Sequence, residues 1–238
     1  MDEKLIQLRE MIQNSNNIVF FGGAGVSTES GIPDFRSVDG LYNQKYKYPP
    51  EQILSESFFK KHPDEFYEFY RDKLVVHNVL PNKAHLRLAE LEKQGKLKAV
   101  VTQNIDGLHQ AAGSKNVLEL HGTIHRFYCV SCGKEMPEEE VNSCGNVPRC
   151  SCGGIVRPDV VLYEEQLDND VLTESVRYIS ECDMLIVGGT SLNVYPAAGL
   201  LNYYKGKKLV LINKQSTPYD NYANLVINEK IGEVFSQV

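Results

Sequence analysis

Two groups of residues in this chain of 238 are spaced for chemistry, and a glycine-rich turn precedes both. Cys129 and Cys132 form a C-x-x-C pair, and Cys150 and Cys152 follow as C-x-C in PRCSCGG. Two cysteine pairs at such a separation suit a tetrahedral zinc ribbon. An ion held by four thiolates keeps no position open for water, so its expected role is structural. Cys144 competes for the second pair, but choosing it would leave one of two close cysteines idle, so Cys150 and Cys152 are the expected ligands. The second group is VVTQNIDGLH and, after it, LELHG, which place Gln103, Asn104, Asp106, His109 and His121 just beyond apolar runs. Taken singly, Asn and Asp cap helices and form turns. Taken together they line one rim, and an imidazole that titrates near neutrality suits general-base work.

The glycine-rich turn is FFGGAGVSTESGIPDFR. Gly22, Gly23, Ala24, Gly25, Val26 and Ser27 read as a turn that lets backbone approach a pyrophosphate. The third glycine of G-x-G-x-x-G is replaced by Thr28, and a polar loop with Asp34, Phe35 and Arg36 follows where a regular helix would run. Two further strand ends supply polar or glycine-rich groups: Gly188, Gly189, Thr190 and Ser191 in LIVGGTSL, and Asn213 at the end of LVLIN. Ligands of open α/β sheets bind at such carboxyl ends, so a nucleotide site is expected.

The elements that must position these groups are short, β-branched apolar runs typical of buried parallel strands: 17–21, 97–103, 116–120, 183–189, 208–213 and 224–228. Helical patterns separate most of them, at 84–94, near 167–180 and at 195–205, and Leu5, Leu8 and Ile12 form the stripe of an N-terminal amphipathic helix. This alternation predicts an α/β fold with a Rossmann-like parallel sheet. Residues 31–80 offer loop and an aromatic helical stretch, and residues 125–157 carry the cysteines but few core residues, which fits a metal staple. The expected division is a main domain of 1–30, 81–124 and 158–238, with 31–80 and 125–157 forming a small inserted domain. Cys182 reads as a small core residue beside a buried strand.

GAGVSTESGIPDFR, TQNIDGLH, HG, the paired cysteines, RPDVVLY, GTSLNVYPAA and LIN occur in the order seen in sirtuins, the NAD-dependent protein-lysine deacylases. The chain closely resembles that family, most of all its compact bacterial members, over nearly its whole length. The resemblance implies an NAD-consuming deacetylase that takes acyl-lysine proteins or peptides and yields nicotinamide, itself an inhibitor, and O-acetyl-ADP-ribose. It implies that His121 is the general base and that Asn104 and Asp106, with Ile105 between them, order the ribose and the nicotinamide pocket. Gln103 matches a ribose contact, and Gly22, Ala24, Ser27, Thr28, Gly188, Thr190, Ser191 and Asn213 match cofactor contacts. Phe35 and Arg36 match a loop covering the reacting ribose. Val160 matches a strand that pairs with substrate backbone, and Val194 lies across that slot. Family members that prefer succinyl or malonyl groups carry Tyr and Arg three residues apart. Here the places hold Tyr70 and Lys73, and a lysine lacks the bidentate fork of arginine, so acidic acyl groups are not favoured. The chain also departs in having Glu164 where the family commonly has glycine.

A net charge of -6 argues against broad attraction to nucleic acid or an anionic membrane. No apolar run approaches a membrane span, and a cytoplasmic location is expected. Three other functions compete with deacetylation: a broader or acidic-acyl, desuccinylase-like deacylase, ADP-ribosyl transfer to protein, and a zinc-ribbon module that senses NAD without chemistry. The complete QNID and HG set argues against the last, because a pure binder needs no base there.

Overall fold

The computed structural model describes residues 2–34, 40, 46–76 and 78–238. Helix α1 (Asp2–Gln13) leads into strand β1 (Ile18–Gly22), which is followed by two 3-10 turns, Ala24–Val26 and Thr28–Ser30. Three short helices come next, α2 (Pro50–Ile53), α3 (Glu56–Lys61) and α4 (Pro63–Phe69), the last running into a π turn, Tyr70–Leu74. Then follow α5 (Lys83–Lys93), β2 (Leu97–Thr102), α6 (Leu108–Ala111) and β3 (Val117–Glu119). A separate group comprises β4 (Gly122–Cys129), β5 (Glu135–Met136), α7 (Glu138–Ser143) and β6 (Val156–Val160). The chain closes with α8 (Asn169–Glu181), β7 (Met184–Gly188), β8 (Leu209–Ile212), β9 (Leu225–Ile227) and α9 (Ile231–Phe235).

Six strands form one sheet in the order β3-β2-β1-β7-β8-β9, all parallel. Every residue of β1 is buried because apolar layers cover both faces. Ile18 and Phe20 pack with Leu5, Leu8 and Ile12 of α1 and with Leu88 and Leu91 of α5, whereas Val19 and Phe21 pack with Ile179 and Leu200 on the other side. All six expected strands lie in this sheet. The order reverses between β1 and β7, the place where such sheets bind ligands. The segment 195–205 is not an α-helix as its pattern predicts; it forms a 3-10 helix, Ala197–Tyr203. Cys182 is a core residue: it is buried, its thiol donates to the Ile179 carbonyl, and burial pushes its pKa up to about 12. No helix among the described residues is long and apolar enough to cross a membrane.

The second sheet, β5-β4-β6, is antiparallel, and its strands did not stand out as apolar runs. The reason is a break of register between Thr123 and Phe127, which puts His125 and Arg126 side by side in water and destroys the period of two. This sheet shares one core with the helical segment. Phe58, Phe59, Phe66, Tyr67, Phe69 and Tyr70 pack with Phe127, Val156 and Leu162, and Cys129 and Cys150 belong to the same cluster. The cysteine stretch is therefore poor in apolar residues only when taken alone.

Candidate active site and metal centre

The two glycine-rich strand ends meet at the switch point. Gly25 N donates to the Gly189 carbonyl at 2.8 Å, and Gly23 N to the Gly188 carbonyl at 3.3 Å. A Cβ on Gly25 would sit 2.8 Å from Gly189 Cα, and one on Gly189, whose φ is +60°, would sit 2.3 Å from Val26 N. These two glycines are thus demanded by backbone packing against each other, beyond any approach of a phosphate. Thr28 is exposed, and its hydroxyl donates to the Gly25 carbonyl. Asn82, which sequence reasoning missed, locks the turn from outside. Its amide donates to Val26 O at 2.7 Å and to Ser30 Oγ at 3.0 Å, while its carbonyl accepts from Ala84 N to start α5. An asparagine just before a helical pattern is the capping signal that would have found it.

A polar network sits beside this turn. Buried Ser27 donates to Asp106 Oδ2 at 2.6 Å and accepts from the Asn104 amide at 3.0 Å. Asp106 Oδ1 accepts from Leu108 N, which fixes the direction of its carboxylate, and the Asn104 backbone N donates to Thr102 Oγ1. Gln103 N pairs with the Gly22 carbonyl, and its side-chain amide donates to Thr190 Oγ1 at 3.1 Å. The same Thr190 oxygen accepts from the amide of Leu192, a non-glycine residue held at φ +57°. Ser27, Asn104, Asp106, Gln103, Thr190, Gly22 and Gly188 therefore form one continuous site at the ends of β1, β2 and β7. Hydroxyls, amides and one carboxylate at a switch point fit the ribose and phosphate groups of a dinucleotide. Ala24 is half-buried in the turn, and Ser191 is exposed beyond Thr190. Asn213, half-buried at the end of β8, uses its amide locally on the Gln215 carbonyl. Phe35 and Arg36 lie outside the described residues.

His121 stands between the two sheets. Its Nδ1 lies 3.0 Å from the Gln103 carbonyl, which can only accept, so Nδ1 carries the proton and Nε2 the lone pair. Burial holds its pKa below the ordinary imidazole value, and the Gln103 carbonyl opposes that shift. Its main chain is fixed as tightly: the His121 carbonyl accepts from Val161 N at 2.9 Å. Gly122 is at φ +73°, and a Cβ there would lie 1.9 Å from the Asp159 carbonyl. The glycine of HG is what lets β4 approach β6, with Gly122 opposite Val160.

His109, grouped with these residues by sequence, does not join them. It is buried against Phe20 and His85, with neither ring nitrogen partnered among the described residues. Burial pushes its pKa down to about 3, with His85 adding to the shift. It is a core residue. Tyr70 is buried in the small-sheet core, donating to the Ile124 carbonyl, and Lys73 lies against Asp72 and over the ring of Tyr46. Ile105 packs against that same core, and its carbonyl accepts from Ile124 N. Val160 is buried on β6, and the Val194 carbonyl accepts from Ala198 N.

Cys129, Cys132, Cys150 and Cys152 converge, with all four sulfurs within 4.8 Å of one another. Sulfur separations of 3.5, 3.8 and 3.5 Å fall near the edge of about 3.8 Å that a tetrahedron with zinc–sulfur bonds of roughly 2.3 Å requires. The residues fit zinc, and Cys144 is not in the cluster. Outside it, α7 reaches the other site: the ring of His125 lies between the Glu138 carboxylate and the Asp106 carbonyl, each at 3.1 Å.

The model of the Sir2 family matches residues 23–196. A protein of Clostridium acetobutylicum named NAD-dependent protein deacetylase is 60% identical over 99% of this chain and 98% of its own length. A solved Sir2 variant with deacetylated p53 peptide and 3'-O-acetyl ADP ribose superimposes with a TM-score of 0.89 at 40% identity, over 98% of this chain and 96% of that one. A Sir2 with p53 peptide and NAD+ gives 0.87 at 40%, over 98% and 95%. The chain belongs to the Sir2 family.

Proposed function

We propose that this Sir2-family chain removes acetyl groups from protein lysines with consumption of NAD, releasing nicotinamide and O-acetyl-ADP-ribose. The observation that carries this reading is the bond from His121 Nδ1 to the Gln103 carbonyl, which leaves Nε2 as a base beside the polar network. The deacetylase name of the C. acetobutylicum relative and the peptide and acetyl ADP ribose in the solved Sir2 variant support the same activity. Bound at the switch point, NAD supplies a ribose carbon whose bond to nicotinamide breaks when the acyl oxygen of lysine attacks. Asn104 and Asp106, aligned by Ser27, hold the ribose and close the nicotinamide pocket, while Gly22, Ala24, Thr28, Gly188, Thr190, Ser191, Gln103 and Asn213 line the remainder. Phe35 and Arg36, outside the described residues, match the family's loop that covers the ribose and excludes water. His121, neutral at pH 7 because burial disfavours its charged form, takes a proton from a ribose hydroxyl. The peptide backbone pairs along Val160 with Val194 opposite.

Cys129, Cys132, Cys150 and Cys152 hold a structural zinc ion that cross-links the small sheet. Tyr70 spends its hydroxyl on Ile124 and Lys73 faces Asp72, which supports acetyl over succinyl or malonyl groups. The same reading divides the chain into a dinucleotide domain (1–30, 81–124, 158–238) and a small domain (31–80, 125–157), in a cytoplasmic enzyme. Nicotinamide release with acetylated and succinylated peptides tests it: turnover is expected with the first, and no NAD turnover on any acyl-lysine overturns it. His121→Ala is expected to lower deacetylation roughly a thousandfold while NAD binding, measured by calorimetry, persists.

A further inference from the structure

We propose that Glu164 is a positioning residue for the peptide: it ties the loop after β6 to the helical segment and so sets the width of the substrate slot. This rests on the slot along Val160 proposed above.

Glu164 adopts φ +77°, a left-handed backbone that glycine enters freely and any other residue enters at a cost. The family pattern has glycine there, so the chain keeps the conformation and gives up the residue that suits it. Burial does not offset the cost, because the side chain is exposed. What it gains is a tie. Glu164 Oε2 accepts from Ser57 N at 2.9 Å, and Oε1 accepts from Ser57 Oγ at 3.0 Å. Backbone continues the same seam: Tyr163 N donates to the Leu54 carbonyl at 2.9 Å and Glu56 N to the Tyr163 carbonyl at 3.0 Å. The seam joins the first turn of α3 to the loop just past β6.

The far end of the loop is anchored differently. Buried Arg157 makes two bonds to Glu165, at 2.5 and 3.0 Å, and donates to the Val160 carbonyl. Glu165 accepts from Leu162 N, and Val161 N reaches the His121 carbonyl. Adjacent glutamates thus pull in two directions, Glu165 toward β6 and the base, Glu164 toward the helices. With Glu165 and the two Tyr163 backbone bonds alone, the loop meets the helical segment through main chain only, and the turn just past Tyr163 is free to swing. With Glu164 added, the edge that peptide backbone meets is held before peptide arrives, which lowers the ordering cost of binding.

Glu164→Gly removes tie and strain together, so the fold is expected to keep its melting temperature while the loop loosens. The KM for an acetylated peptide should rise roughly fivefold, with kcat within about twofold and the KM for NAD unchanged. Glu164→Gln keeps an acceptor oxygen for Ser57 N and should recover part of the loss. Hydrogen exchange at Val161 and Tyr163 should quicken in Glu164→Gly, a readout independent of turnover. An unchanged peptide KM, or unchanged exchange in 161–165, overturns the proposal. A wild-type protein without NAD-dependent deacetylation would instead overturn the function proposed above, while the exchange result would still decide the tie.

Discussion

In the six-stranded sheet, β1 sends Phe20 and Phe21 to opposite faces, both wholly buried, and parallel pairing sets Gly22 opposite Thr102 on one side and Gly188 on the other. In the three-stranded sheet, β5 has two residues, β4 breaks register, and the sulfurs and aromatic rings of a distant segment supply the cohesion. The first region positions its groups by strand register, the second by cross-linking and packing. The difference teaches where the site is vulnerable. Its dinucleotide side rests chiefly on strand register, supported by the mutual packing of Gly25 and Gly189 and by the Asn82 lock. Strand β6 and half the support of His121 rest on the small sheet, which reaches the site through the contacts Val161–His121, Ile124–Ile105 and His125–Asp106. Damage to the small sheet must reach the chemistry through those links.

Stripping zinc, or replacing Cys150 with Ser, should break the comparison open most. Structural zinc supplies on the order of 10 kcal/mol to small domains. Residues 53–74 and 124–160 should lose hydrogen-exchange protection together while β1, β2 and β7 keep theirs, and peptide turnover should fall to about a hundredth. Equal loss in the parallel sheet would show that the two regions are one unit. Next in size is Gly122→Ala at the join, where strain and the clash with the Asp159 carbonyl should cost about 3 kcal/mol. A melting temperature within a degree of wild type would show that β4 and β6 can move apart freely.

The smallest effect belongs to the parallel sheet alone. The folded pKa of His109 is depressed, so its contribution is intact above about pH 6.5, where both folded and unfolded chains hold a neutral ring. Stability falls as pH drops from there toward 3, because the unfolded chain takes a proton that the folded chain refuses. Burial depresses His85 in the same sense, with nearby Asp106 opposing it. At pH 5, His109 alone should cost about 2 kcal/mol relative to pH 7. Urea midpoints at the two pH values should differ less in His109→Leu, and an equal difference would assign the acid sensitivity elsewhere.

The same contrast explains what was legible in the amino-acid sequence. Buried parallel strands are apolar runs whatever their neighbours, so all six main strands could be read locally. Thiol ligands need only spacing, and the C-x-C pair is in the cluster despite its tightness. The small sheet was hidden because β4 pairs with a strand far along the chain and has no clean alternation. His109 misled because a polar residue after a strand looks the same whether it faces a cleft or the core. Glu164 was visible as a departure, but its left-handed backbone and its partner Ser57 were not, since they depend on contacts between distant segments.

The core shared by the helical segment and the cysteine-bearing sheet has a temporal side. Phe58, Phe59, Phe66 and Phe69 leave the ribosome well before β4 and β6 exist to cover them. Their shelter waits first on translation and then on four sulfurs finding an ion. The supply of metal during synthesis thereby sets how long this aromatic stretch is open to chaperones and to wrong partners.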